Sequence, residues 1–162
     1  MSTDNRLGDE GYTKDAARRR IPRDAPSLFL LGGLDELNAG IGWCLTACED
    51  PLREIGDALR PVQEELLAVG ATVSALSAGI EPGATLPSAA VRRLEDQIAA
   101  ISSRLGPLTS FIVPGGCEAA CRLHMARTVC RRAERRLIAW SRETGAVPQL
   151  AAYLNRLSDL LF

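Results

Sequence analysis

Along this chain, long segments in which apolar residues recur every three or four positions are separated by short stretches rich in glycine and proline. From Leu34, the segment LDELNAGIGWCLTACE places Leu34, Leu37, Ile41 and Leu45 on one face of an amphipathic helix. A second helical period opens near Pro51, where proline suits a first helical position, and runs to about Leu76. Pro61 inside it is expected to kink or break the helix. After the loop AGIEPGATL, the stretch LPSAAVRRLEDQIAAISSRL carries Val91, Leu94, Ile98 and Ile101 on one face, with Ser88 as its expected cap. GPLTSFIVPGG interrupts the period. A fourth helix is predicted over Cys117 to Glu143, and a fifth from about Val147 to Phe162 with a stripe of Leu150, Leu154, Leu157 and Leu161. No run alternates with a strand period and no repeat is evident. The pattern predicts a single all-α domain over residues 1–162. An N-terminal loop over residues 1–32 would precede an up-and-down five-helix bundle over residues 33–162.

Composition narrows the function without naming it. A chain of 162 residues that is 46% hydrophobic and 24% charged can bury its own core and is neither disordered nor membrane-spanning in character. Its net charge of −1 argues against a uniformly basic nucleic-acid binder, and no aromatic platform is interleaved with the basic residues. Any cationic site must be local. The opening MSTDNRLGDEGYT has no apolar signal region, and no run of about 18 apolar residues follows, so a cytoplasmic protein without a membrane partner is expected. The five cysteines point to free thiols rather than a disulfide framework. Cys117, Cys121 and His124 are residue types that bind zinc, but no fourth ligand is evident and small buried thiols fit the alanine-rich helix better.

Charge is concentrated in LHMARTVCRRAERRL, Leu123 to Leu137, where five arginines surround Glu134. Helical geometry puts Leu123, Ala126, Cys130, Ala133, Leu137 and Trp140 on the core face. His124, Arg127, Arg131, Glu134 and Arg135 fall on the adjoining face, and Arg132 and Arg136 further round toward solvent. Such a face is either a solvated surface or a seat for a strong anion. Two other stretches carry polar chemistry. GDEGYT, Gly8 to Thr13, has glycines that allow close backbone approach, and YLNRLSDLLF sets Asn155 and Asp159 four apart on a helix. Each also reads as an ordinary turn or helix end, and no Walker sequence accompanies them.

Together, NRLGDEGYT, GGLDELNAGIG, SFIVPGG, LHMARTVCRRAERR and YLNRLSDLLF resemble the PduO-type ATP:cob(I)alamin adenosyltransferases over almost the whole chain. That resemblance implies a ferritin-like helical bundle, a homotrimer, and active sites between adjacent subunits. It also implies a reaction in which the cobalt of cob(I)alamin attacks the 5′ carbon of ATP, forming adenosylcobalamin and expelling triphosphate. Cationic groups and Mg²⁺ would stabilise that leaving group. By matching position, Arg131, Asp35, Arg127 and Phe111 form the catalytic set. ATP would be held by Gly8, Asp9, Gly11, Thr13, Arg23, Arg131, Glu134, Arg135 and Asn155. Mg²⁺ would arrive with ATP beside Asn155 and Glu134. Asp35 would pair with Arg127 across a subunit interface, and Phe111, Ile112 and Val113 would meet the corrin, Phe111 displacing its lower axial ligand. A cobalamin reductase and an adenosylcobalamin-dependent enzyme are the implied protein partners.

The N-terminal segment departs from the family pattern. Asn5 and Leu7 stand where threonines are common, Arg23 replaces a lysine, and Ser27, Phe29 and Leu31 replace an arginine, a small or acidic residue, and a tyrosine. Leu7 offers no hydroxyl to a phosphate. These changes leave open a second class of function, an adenosyltransferase-like protein that binds cobalamin or ATP as carrier, regulator or partner subunit without turnover.

Overall fold

The computed structural model describes residues 6–145 and 148–162; Asn5 and Val147, the expected start of the last helix, lie outside them. Among the described residues, six helices and one two-stranded sheet form. A one-turn helix α1 (Arg6–Asp9) leads into β1 (Tyr12–Lys14), which pairs antiparallel with β2 (Arg20–Pro22), Thr13 opposite Ile21. The long elements follow as α2 (Pro26–Leu45), α3 (Arg53–Ser77), α4 (Ala90–Ser102), α5 (Glu118–Thr144) and α6 (Pro148–Leu160).

The core is the sum of the helical stripes. Leu30, Leu34, Leu37, Ile41 and Cys44 of α2 meet Leu59, Val62, Leu66, Val69 and Val73 of α3 and Ala126, Cys130, Ala133 and Leu137 of α5. Leu150, Tyr153, Leu154 and Leu157 of α6, with Leu161 just beyond it, close the far side together with Leu94 of α4. Helices α2 and α5 approach closely at Gly33, where a Cβ would stand 3.9 Å from Ala133 Cα, an ordinary contact, and 3.0 Å from Arg136 Nη1, the mobile end of a long side chain.

One polar cluster ties three helices beneath this core. Glu65 of α3, 8% exposed, accepts Arg93 Nη2 from α4 at 2.6 Å and the Tyr153 hydroxyl from α6 at 2.8 Å. Burial, reinforced by the Glu65 charge, holds the Tyr153 hydroxyl well above the ordinary phenol range.

Several expectations change. The N-terminal segment contains a short helix and a hairpin, so the described chain is not purely helical. Its strands of three residues, each exposed, half-buried, exposed, bury too little to leave an alternating apolar signature. Arg20 instead holds the hairpin, lying 3.9 Å from the Tyr12 ring centroid and bonding Glu10 at 2.8 Å. Helix α2 begins at Pro26, not near Leu34. Four consecutive apolar residues, Leu28 to Leu31, followed by Gly32 and Gly33, mask its period, although only Leu30 of the four is fully buried. Pro61 does not break α3; it sits on the exposed side, where water can satisfy the carbonyl its ring leaves unbonded. Ser88 does not cap α4, whose N-cap position is Ala89 with no side-chain cap.

Candidate active site

Helix α5 divides its arginines between two tasks. Arg122, Arg132 and Arg136 turn to α2. Arg122 Nη1 donates to the Trp43 carbonyl at 2.7 Å, Arg132 pairs with Glu36, and Arg136 Nη1 donates to the Phe29 carbonyl at 2.9 Å with its guanidinium over the Phe29 ring. Arg132 and Arg136 are therefore helix-joining residues and not the solvent-pointing pair that spacing predicts. Phe29, one of the departures from the family pattern, provides the seat for Arg136. Leu31, another, lines the groove between α2 and α3, its Cδ2 3.8 Å from where a Cβ on Gly70 would stand.

Arg131 and Arg135 lie on the opposite flank and are exposed, and among the described residues neither makes an ion pair with a carboxylate. Arg135 Nη1 donates to the Arg131 carbonyl at 3.2 Å, which fixes the pair along the helix. Glu134 is half-buried between them in sequence, yet its Oε1 accepts the Asn155 Nδ2 of α6 at 3.2 Å. The α5–α6 seam thus holds two free guanidiniums beside a carboxylate whose orientation is set by the neighbouring helix. Below the seam, Cys130 is an inert thiol. It donates to the Leu154 carbonyl at 3.2 Å, and burial, with the nearby Glu134 charge, pushes its pKa up to about 12.

Next along the same face, Arg127 lies under Phe162, its guanidinium carbon 5.2 Å from the ring centroid, and His124 meets that ring edge-on at 6.1 Å. Among the described residues, the buried Arg127 Nε and His124 Nδ1 have no hydrogen-bond partner. Asp35 is not the partner of Arg127 within one chain. It is exposed on α2 at the rim of a groove of about 270 Å³ lined by Leu34, Leu67 and Gly70 among others.

The remaining expected residues form two further groups. Gly8 and Asp9 end α1, Gly11 turns the chain at φ +76°, and the Arg23 amide donates to the Gly11 carbonyl at 2.8 Å. The Arg23 guanidinium packs on Gly8, where a Cβ would approach Nη2 to 3.2 Å. Thr13 is half-buried in the hairpin. Among the described residues, no hydrogen bond or ion pair joins this N-terminal group to α5 or α6. Phe111, Ile112 and Val113 project from the loop between α4 and α5; Phe111 is fully exposed and Val113 85% exposed. Exposed aromatic and aliphatic groups on one loop mark a surface that awaits an apolar partner.

No group of three metal-ligating side chains occurs among the described residues. Cys117 and Cys121 are exposed, and His124 meets the Phe162 ring edge-on. The sequence reading missed Arg156. It bonds Asn155, Asp159 and Glu95. Its adjacency to Asn155 in YLNRLSD was the available signal.

Among the described residues, α5 thus carries two guanidiniums without carboxylate partners, Arg131 and Arg135, and the separate loop that precedes this helix carries exposed apolar side chains. The chain belongs to the cobalamin adenosyltransferase family, whose model matches residues 4–162. It is 38% identical over 163 residues to the corrinoid adenosyltransferase PduO of Salmonella typhimurium, covering 100% of this chain and 48% of that one. It is 40% identical over 162 residues to the cobalamin adenosyltransferase of Cupriavidus metallidurans, covering 97% and 82%. The chain thus spans about half the length of the Salmonella relative. Among solved structures, a variant PduO-type ATP:corrinoid adenosyltransferase from Lactobacillus reuteri complexed with cobalamin and ATP superposes with a TM-score of 0.87 at 28% identity, over 99% of this chain and 88% of that one. A second variant of that protein, complexed with ATP, gives 0.88 at 26% identity, over 100% and 90%.

Proposed function

We propose that this chain, acting as a single domain, transfers the 5′-deoxyadenosyl group of ATP to the cobalt of cob(I)alamin. The cobalt–carbon bond forms as the bond from C5′ to the triphosphate oxygen breaks, and adenosylcobalamin and triphosphate leave. One observation carries this reading: Arg131 and Arg135 are exposed and free of carboxylates beside a Glu134 already bound by Asn155. Developing charge on a triphosphate is stabilised by cationic donors, and an arginine whose guanidinium is not claimed by a carboxylate has its donors available for that role. Arg131 binds the leaving triphosphate and Arg135, held along the helix, adds to the field. Residues 8–13 with Arg23 close over the nucleotide.

Mg²⁺ fits as a companion of ATP and not as a resident ion. A phosphate-bound Mg²⁺ needs only one or two carboxylates, which Glu134 supplies, with Asn155 beside it. When bound, it neutralises phosphate charge. Phe111, Ile112 and Val113 offer the corrin an apolar face, Phe111 toward its lower side, and exclude water from the reacting cobalt.

The active assembly is a homotrimer with sites between adjacent copies. Supporting this, among the described residues Arg127 is half-buried with a buried Nε that lacks a partner, Asp35 is exposed on another face and makes no ion pair, and the N-terminal group is not bonded to the α5–α6 seam within one chain. The chemistry requires a cobalamin reductase to supply cob(I)alamin and an adenosylcobalamin-dependent enzyme to consume the product. No helix among the described residues is long and apolar enough to cross a membrane. Anaerobic incubation with cob(I)alamin and Mg-ATP tests the reading: multiple turnovers support it, and binding of both substrates without product supports a carrier or regulator.

A further inference from the structure

The geometry points to Arg156 as a positioning residue that keeps the triphosphate-binding arginines free, an inference that rests on the nucleotide reading of the α5–α6 seam. Arg156 Nη1 donates to Asn155 Oδ1 at 3.0 Å and to Asp159 Oδ2 at 3.0 Å, and its Nε donates to Glu95 Oε1 of α4 at 3.2 Å. Two carboxylates therefore hold the guanidinium, and the guanidinium holds the oxygen end of the Asn155 amide.

That contact decides which end of the amide faces α5. With Oδ1 committed to a cation, Nδ2 is the end presented to Glu134, and it donates to Oε1 at 3.2 Å. A reversed amide would set oxygen against carboxylate. Glu134 is three residues from Arg131, a spacing at which a glutamate and an arginine on one helix can pair. In the structure they do not: Arg131 is exposed and forms no ion pair among the described residues. The chain Glu95–Arg156–Asn155–Glu134 thus joins α4, α6 and α5 and diverts a carboxylate that stands at helical pairing distance from Arg131 and would otherwise compete with triphosphate for it. Arg156 need not touch the nucleotide to do this.

The test is Mg-ATP affinity by titration calorimetry on the full chain, together with steady-state constants for ATP and cobalamin. Arg156→Ala is expected to weaken Mg-ATP by about tenfold, the scale of one lost hydrogen bond to a charged group. KM for ATP rises accordingly, while kcat at saturating ATP and KM for cobalamin stay unchanged, because an internal competitor is overcome by excess ligand. Arg156→Lys restores the charge near Glu95 and Asp159 but lacks the planar fork, so it recovers thermal stability without recovering affinity. Asn155→Ala with Arg156→Ala is expected to bind no more weakly than Asn155→Ala alone. Wild-type affinity in Arg156→Ala, full affinity in Arg156→Lys, or penalties that simply add would each overturn the inference while the nucleotide reading stands. Wild-type protein that binds no Mg-ATP would bring down the nucleotide reading, and this inference with it.

Discussion

Asn155 on α6 donates its amide to Glu134 on α5 across 3.2 Å, and the glutamate makes no ion pair with Arg131 one turn away on its own helix. Arg131 is thereby left exposed, as its proposed role toward triphosphate requires. Arg131→Ala should therefore lower kcat/KM for ATP by roughly 10²–10³, the cost of removing one preorganised donor from a transition state. Its melting temperature should be little changed, since an exposed, unpaired side chain supports little of the fold. Steady-state kinetics with parallel thermal unfolding check both halves.

Phe111 gives the complementary case. It is fully exposed, so Phe111→Ala should leave stability within about 0.5 kcal/mol of wild type. Losing the burial of a phenylalanine against a corrin is worth about 3 kcal/mol, roughly a hundredfold in kcat/KM for cobalamin. Mg-ATP affinity should not move. A variant equally impaired toward both substrates would contradict the assignment.

Assembly can be tested through Asp35 and Arg127, which do not meet within one chain. If they pair between copies, Asp35→Ala strands a buried cation at about 3–5 kcal/mol and shifts sedimentation from trimer toward monomer. Exchanging the charges in one chain, Asp35→Arg with Arg127→Asp, should restore part of the association. A trimer indifferent to Asp35→Ala would contradict the pairing.

The Tyr153–Glu65 contact predicts a pH dependence. The native state holds the Tyr153 proton above its ordinary value of 10.0, while the unfolded chain releases it there. This contribution is complete below pH 10 and is lost as pH rises, at about 1.4 kcal/mol per unit. Cys130, raised from 9.0 to about 12, and Cys44, raised to about 11, act in the same direction above pH 9. Tyr153→Phe should cost about 1 kcal/mol at neutral pH, and its deficit against wild type should close above pH 10. Denaturant unfolding at pH 7 and pH 11 measures this; a constant deficit would contradict it.

How much of this the sequence shows depends on how far each feature relies on local pattern. The α5 stripe from Ala126 to Trp140 and the α6 stripe from Leu150 to Leu161 are buried as their spacing predicts, because helical period and burial are one geometric fact. The first turns of α2 were hidden because Leu28 to Leu31 show no period. The hairpin was hidden because cation–aromatic and ion-pair contacts, not an apolar face, hold it. In the candidate site, Arg131, Glu134, Arg135 and Asn155 come from matching position in the family resemblance, since spacing alone left their face open between a solvated surface and an anion seat. Helical spacing misplaced Arg132 and Arg136, whose partners, Glu36 and the Phe29 carbonyl, lie about a hundred residues away and leave no trace in local spacing. Arg156 was overlooked for the same reason, since its tie to Glu95 belongs to tertiary structure.

The most direct test of the central claim is anaerobic turnover: purified protein, chemically reduced cob(I)alamin and Mg-ATP, with adenosylcobalamin and triphosphate quantified against a protein-free control. The proposed function predicts equal amounts of both products over many cycles. Bound ATP and cobalamin with neither product formed would contradict it, and would make the chain a binding protein built on the adenosyltransferase fold.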